Sequence, residues 1–204
     1  MATQHGLHVH LGRPWHHTAK QAGTAESASA VSVAGLREGL VALVRVGTGF
    51  MFLWAFLDKT FGWGYSTPSA RAWIHGGSPT KGFLASVDAG PFQSWFNAWA
   101  GHMWADYLFM IGLAAIGVAL ILGIGVRLAA VCGIALVAMM WFAVYPLAKY
   151  GASGPTGSVN PFVDEHVMDA FALLTVGLFG AGSRFGFGAW WAKLPFVSGR
   201  PGLK

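Results

Sequence analysis

Four ionisable residues crowd one short stretch of an otherwise apolar region: Asp164, Glu165, His166 and Asp169. His166 and Asp169 are three positions apart and Glu165 and Asp169 four apart, so on a helix they share a face. A carboxylate beside an imidazole can handle protons, because the ring donates, accepts or relays one near neutral pH. Asp164 and Glu165 have a plainer explanation as first-turn acids that complement the helix dipole. Asp169 lies about one turn deeper, where a charge in lipid costs about 2.5 to 3.5 kcal/mol and needs a partner. His166 and Asp169 are therefore the expected catalytic pair.

A second group gathers around Asp58 and Lys59, which close an apolar stretch, with Trp63, His75, His102 and Asp106 in or beside the aromatic segment that follows. An aromatic pocket holding a cation, an acid and a histidine suits a quinone head, since rings sandwich it and donors hold its carbonyls. Asp58, Lys59, Trp63, His102 and Asp164 are the expected quinone-binding residues. The competing reading of Asp58 and Lys59 is a boundary pair that marks the end of a membrane span. Arg45, inside the same apolar stretch, is expected to snorkel to the headgroups or to pair with a carboxylate.

Other chemistry finds less support. His5, His8, His10, His16 and His17 form a tract without neighbouring acids or cysteines, and His102 and His166 come without a C-x-x-C-H motif. No metal, haem or flavin is expected. The single cysteine, Cys132, excludes an intramolecular disulfide or a thiol relay within the chain.

The elements that must position these residues are membrane spans. Of 204 residues, 54% are apolar and 10% charged, against about 25% charged in soluble domains. Tyr107 to Val126 and Leu128 to Ala148 are free of charge over 20 and 21 residues, enough to cross an apolar layer of about 30 Å. Leu36 to Leu57 gives another span. The fourth rests on Asn160 as N-cap and Pro161 at the first helical position, since its uncharged run from Ala170 to Ser183 is only 14 residues. The expected fold is all-α: an integral membrane four-helix bundle with spans near 36–60, 105–125, 127–149 and 161–182. Gly47, Gly49, Gly112, Gly117, Gly133 and Gly177 fall within those spans and allow close helix packing.

Lys and Arg distribution sets the orientation. Eight lie on the side of the termini and four opposite, with Arg45 inside a span, which predicts cytoplasmic termini in a bacterial plasma membrane. The pI of 9.7 reflects that asymmetry and not nucleic-acid binding. Residues 1–35 read as a mobile His-rich tail without a signal-peptide core, 36–192 as the membrane domain and 193–204 as a C-terminal tail. The extracytoplasmic loop, about Gly62 to Ala105, is expected to carry short interfacial helices, one after Thr67-Pro68 and one after Pro91 with Phe92, Trp95, Phe96 and Trp99 on one face. Phe185, Phe187, Trp190 and Trp191 read as an interfacial anchor.

Three stretches resemble the DoxX family, and within it the DoxD-like chains described as the large subunit of thiosulfate:quinone oxidoreductase. They are Leu43-Val44-Arg45-Val46-Gly47 through Leu57-Asp58-Lys59, Leu122-Gly123-Ile124-Gly125-Val126-Arg127-Leu128-Ala129-Ala130, and Asn160-Pro161-Phe162-Val163-Asp164-Glu165-His166. The resemblance covers about residues 37 to 192. It implies a four-helix membrane subunit of a quinone-linked oxidoreductase, passing electrons from a sulfur compound such as thiosulfate to quinone, in contact with lipid and other protein subunits. The alternative is a non-catalytic accessory or docking subunit of a larger respiratory complex.

Overall fold

The computed structural model describes residues 16–156, 158–179 and 185–203, with the backbone alone for 16–32. It is mostly helical. Three helices are long and apolar enough to cross a membrane, over Val33–Phe61, Met103–Leu122 and Val126–Val144. The first is the C-terminal part of a single helix, α1 (His16–Phe61). The helix thus starts well before Leu36, and the second half of the segment read as a structureless tail is helical. Residues 1–15 of that segment lie outside the described residues.

Helix α4 (Met103–Leu122) and helix α5 (Val126–Val144) form a hairpin closed by Gly123 and Gly125, both at positive φ of 73° and 54°. Only glycine takes that backbone region without strain, so the Gly-Ile-Gly triplet makes the reversal possible in three residues. Helix α5 ends at Val144, short of Lys149, because Pro146 has no N–H to continue the ladder and Tyr145 turns to φ 43°.

Helix α6 (Glu165–Phe179) begins four residues later than the Asn160-Pro161 signal implies. Asn160 Oδ1 is taken by a turn, accepting the N–H groups of Phe162 at 2.9 Å and Val163 at 3.2 Å. Asp164 caps the helix instead, its Oδ1 accepting the Val167 N–H at 3.1 Å. The described helix has 15 residues, about 22 Å, so a fourth span is an extension beyond the three helices that meet the length for crossing.

Small residues bring these helices together. A Cβ on Gly117 would sit 2.7 Å from Leu53 N, and one on Gly49 would sit 2.9 Å from Leu120 Cβ. The α1 and α4 backbones can approach this closely only where both lack side chains. Gly133 and Gly177 do the same for α5 and α6, against Leu173 and Ala130. Around these contacts lies the main core of Phe52, Met110, Leu113, Ile116, Leu120, Leu136, Leu173 and Val176.

The segment between α1 and α4 forms a roof over one end of the helices. It contains a 3-10 turn at Ser69–Arg71, another at Trp73–His75, helix α2 (Lys81–Ala85) and helix α3 (Gln93–Trp99). The turn after Pro68 and the helix after Pro91 agree with the sequence pattern, whereas α2 carries no such signal. Asn97 Nδ2 ties α3 to α2 by donating to the carbonyls of Leu84 at 2.8 Å and Val87 at 3.0 Å. Leu84, Val87 and Phe96 then pack on Ala105 and Ala143 at the ends of α4 and α5.

At the opposite end lie helix α7 (Gly188–Trp191) and helix α8 (Pro195–Ser198), and just before α7 the Phe187 N–H donates to Leu122 O at 2.8 Å. Trp191 Nε1 donates to Leu203 O at 2.6 Å and Val197 is fully buried. Residues 193–203 are therefore folded back and are not a loose tail. Phe187 and Trp190 stay 59% exposed, as an interfacial anchor requires.

Candidate functional site

The acids at the roof end act first as fasteners. Asp58, 1% exposed, accepts from Tyr65 N at 3.2 Å, Ser66 N at 2.9 Å and Ser66 Oγ at 2.7 Å. Asp106 Oδ1 accepts from Ser78 Oγ at 2.9 Å, Thr80 N at 2.9 Å and Thr80 Oγ1 at 2.7 Å. Asp88 accepts from the backbone N–H and the hydroxyl of Ser153, so the roof is bound to the hairpin of β1 (Tyr150–Gly151) and β2 (Gly154–Pro155). Those Ser153 bonds hold the Asp88 carboxyl below its usual range, against a smaller opposing effect of burial. Each carboxylate satisfies backbone N–H groups that the roof would otherwise leave unpaired.

The expected catalytic pair is not hydrogen-bonded. His166 Nδ1 meets Asp164 Oδ2 at 2.8 Å, two residues away, and not Asp169. This happens because α6 starts at Glu165, leaving Asp164 free in a non-helical conformation to fold over the ring. Burial pushes Asp164 up, but the hydrogen bonds from His166 and Val167 outweigh it and leave the carboxyl below its ordinary value. His166 is 7% exposed, while Asp169 is partly buried and has no hydrogen-bond partner among the described residues.

Beneath the roof is a cavity of about 280 Å³. Its walls are Phe83 and Leu84 of α2, Phe96 and Trp99 of α3, Trp104, Leu108 and Phe109 of α4, and Leu136, Met139 and Met140 of α5. Lys59 is the one charged residue in that lining and Thr80 the one hydroxyl. The neighbouring Asp58 is committed to Tyr65 and Ser66, and among the described residues Lys59 forms no ion pair. Leu108 and Met139 are 63% and 44% exposed yet line the cavity. Phe83 and Trp104 are exposed lining residues too, so the cavity is bordered by an exposed apolar surface.

Of the expected quinone-binding residues, Lys59 alone lines this cavity. Asp58 points into the loop at Ser66. Trp63 joins an aromatic ladder, 5.2 Å from Trp54 and 5.7 Å from Phe61, and is half exposed. His102 is exposed at the start of α4, and Asp164 precedes α6 as its cap; neither lines the cavity. The lining residues Trp104, Met139 and Met140 escaped the sequence reading because apolar side chains in apolar spans carry no periodic contrast. Groups of three or more His, Cys, Asp or Glu able to hold a metal do not occur among the described residues.

The chain matches no protein-family model, no curated protein and no solved structure.

Proposed function

We propose that the chain is a membrane subunit of a quinone-linked oxidoreductase, with the quinone head seated in the cavity under the α2–α3 roof. The observation that carries this reading is a single ammonium, Lys59, without a salt bridge among the described residues, in an otherwise largely apolar, aromatic-walled cavity. The cavity is at the lower end of the volumes that hold small ligands, about 300 to 1,000 Å³, and fits a head group more readily than a whole isoprenoid. A tail would leave between Leu108 and Met139.

The fit of residues to head group is direct. Lys59 is positioned to donate to a ring carbonyl and to offset negative charge gained on reduction. Trp99 and Trp104, packed edge to face at 5.4 Å, give the walls a rigid aromatic corner. Phe96 and Met140 exclude water. When bound, the quinone supplies the electron-accepting chemistry. The Asp164–His166 pair, oriented by its hydrogen bond, is suited to move protons at the start of α6. Resemblance to DoxX-like chains extends the reading to a sulfur compound such as thiosulfate as donor, a fourth span through α6, other subunits as partners and cytoplasmic termini in a bacterial plasma membrane.

A second reading, a non-catalytic accessory subunit, is favoured by two observations: His166 and Asp169 lie outside the cavity lining, and three acids are consumed as loop fasteners. Purification in mild detergent separates the two. The quinone reading expects about one quinone per chain, lost in Lys59→Met and kept in the surface control Lys193→Gln. A wild-type chain free of quinone but tightly joined to respiratory subunits would leave the accessory reading standing.

A further inference from the structure

The cavity and the α6 dyad do not account for the most unusual charge in the molecule. Arg45 is 2% exposed within an apolar helix. Its Nη2 donates to Phe185 O, but among the described residues Nε and Nη1 have no hydrogen-bond partner and no carboxylate pairs with it. Of the two expectations from sequence, carboxylate pairing is absent among the described residues, where the guanidinium meets one backbone carbonyl instead. A buried guanidinium offers five donors in a planar fork, and leaving most of them unmet is costly.

The surroundings show what kind of group would complete it. Arg45 stands at the hairpin end of α4: both Leu122 O and Arg45 Nη1 lie against the position of a Cβ on Gly186, at 2.7 and 3.2 Å. Gly186 is exposed and has φ 140°. The guanidinium is therefore one side-chain-less residue beneath the surface, and any Cβ there would fill the space over its Nη atoms. The α4 C-terminus contributes about half a negative charge at most, and the Leu122 carbonyl already accepts from Phe187 N. A residual positive charge with two unmet nitrogens remains, at the level where an apolar span ends and headgroups begin. The exposed aromatic rings of Phe187 and Trp190 beside it mark the same boundary.

We propose that Arg45, buried directly beneath the exposed Gly186, binds a phosphate-type oxyanion at the hairpin end of α1 and α4. A guanidinium recognises two oxygens of such a group along one edge, and here that edge would pair an unmet nitrogen, Nε or Nη1, with the second N–H of Nη2. The nearest source in a membrane is a phospholipid headgroup. The site is separate from the quinone cavity at the other end of the helices and does not depend on it.

The test uses the full chain, delipidated in neutral glycoside detergent. Bound phosphorus is measured first, then the thermal midpoint with phosphatidylglycerol, with a glycosyl diacylglycerol of the same acyl chains, and with inorganic phosphate. The expected result is about one phosphorus per chain that survives delipidation, and several degrees more stabilisation by phosphatidylglycerol than by the glycolipid. That increment should vanish in Arg45→Gln and in Gly186→Ala, and persist in part in Arg45→Lys. Equal stabilisation by inorganic phosphate assigns the oxyanion to the aqueous phase and still supports the site. Equal effects of the two lipids on the wild-type chain, with no response to phosphate and no retained phosphorus, overturn it, even if Arg45→Gln does not fold.

Discussion

Removing the Asp106 carboxylate should open the roof while leaving the helices in place. All three bonds from Ser78 and Thr80 converge on one oxygen, Oδ1, and Thr80 is buried. Asp106→Ala strands the Thr80 N–H away from water and loses acceptor bonds to a charged group, together worth about 2 to 4 kcal/mol. Since about 1.4 kcal/mol is tenfold, amides of the roof should exchange roughly 30- to 1,000-fold faster. The reporter is Leu84, whose N–H donates to Thr80 O at 2.9 Å and whose side chain lines the cavity. Asp106→Asn keeps an oxygen at the same place and loses only the charge, so about 1 kcal/mol and a fivefold change are expected. Hydrogen exchange read by mass spectrometry on residues 78–87, against the α4–α5 core as internal reference, measures this. Roof amides in Asp106→Ala that exchange within threefold of wild type would refute the idea that this acid is a fastener.

Three further outcomes are specific. Gly117→Val should force α1 from α4, because its Cβ would lie 2.7 Å from Leu53 N, costing about 1 to 3 kcal/mol; an unchanged melting midpoint in detergent would refute that close approach. Asp88 is held below the ordinary carboxylate pKa by Ser153, so the tie is complete above about pH 4 and is lost as pH falls through the lower folded value. Exchange at residues 150–155 should be flat from pH 7 to 5, after correction for intrinsic rates, and rise below 4. In a Cys132→Ser background, Ser86→Cys in the roof should react with an impermeant thiol reagent in intact cells and Ser198→Cys in the hairpin-end segment should not; the reverse pattern would invert the proposed orientation.

The long helices were legible because their charge-free runs have no competing explanation, and the hairpin because glycines and Arg127 punctuate it. Boundaries were lost where two signals compete. Asn160-Pro161 and Asp164 both read as a helix start, and only the turn bonds from Phe162 and Val163 show that Asn160 is already engaged. Pro146 lay inside an uncharged run and was passed over in favour of the charge at Lys149. In the site, the same letter serves opposite purposes: Asp58 as a loop fastener and Asp58 as a quinone ligand have identical sequence. The available clue was Ser66, Ser78 and Thr80, hydroxyl residues at a distance that only a folded loop converts into contact. Lys59 was visible because charge in an apolar setting is rare, whereas its apolar cavity partners were not.

The three-residue link between α4 and α5 also has a consequence for how the chain is made. Two apolar helices of 20 and 19 residues joined by Gly123–Gly125 leave no polar segment long enough to pause between them, so during synthesis they enter the bilayer as one unit. Helix α6 meets α5 where Gly133 and Ala130 lie against Leu173 and Gly177, so the early hairpin offers a ready surface on which the last helix can be laid.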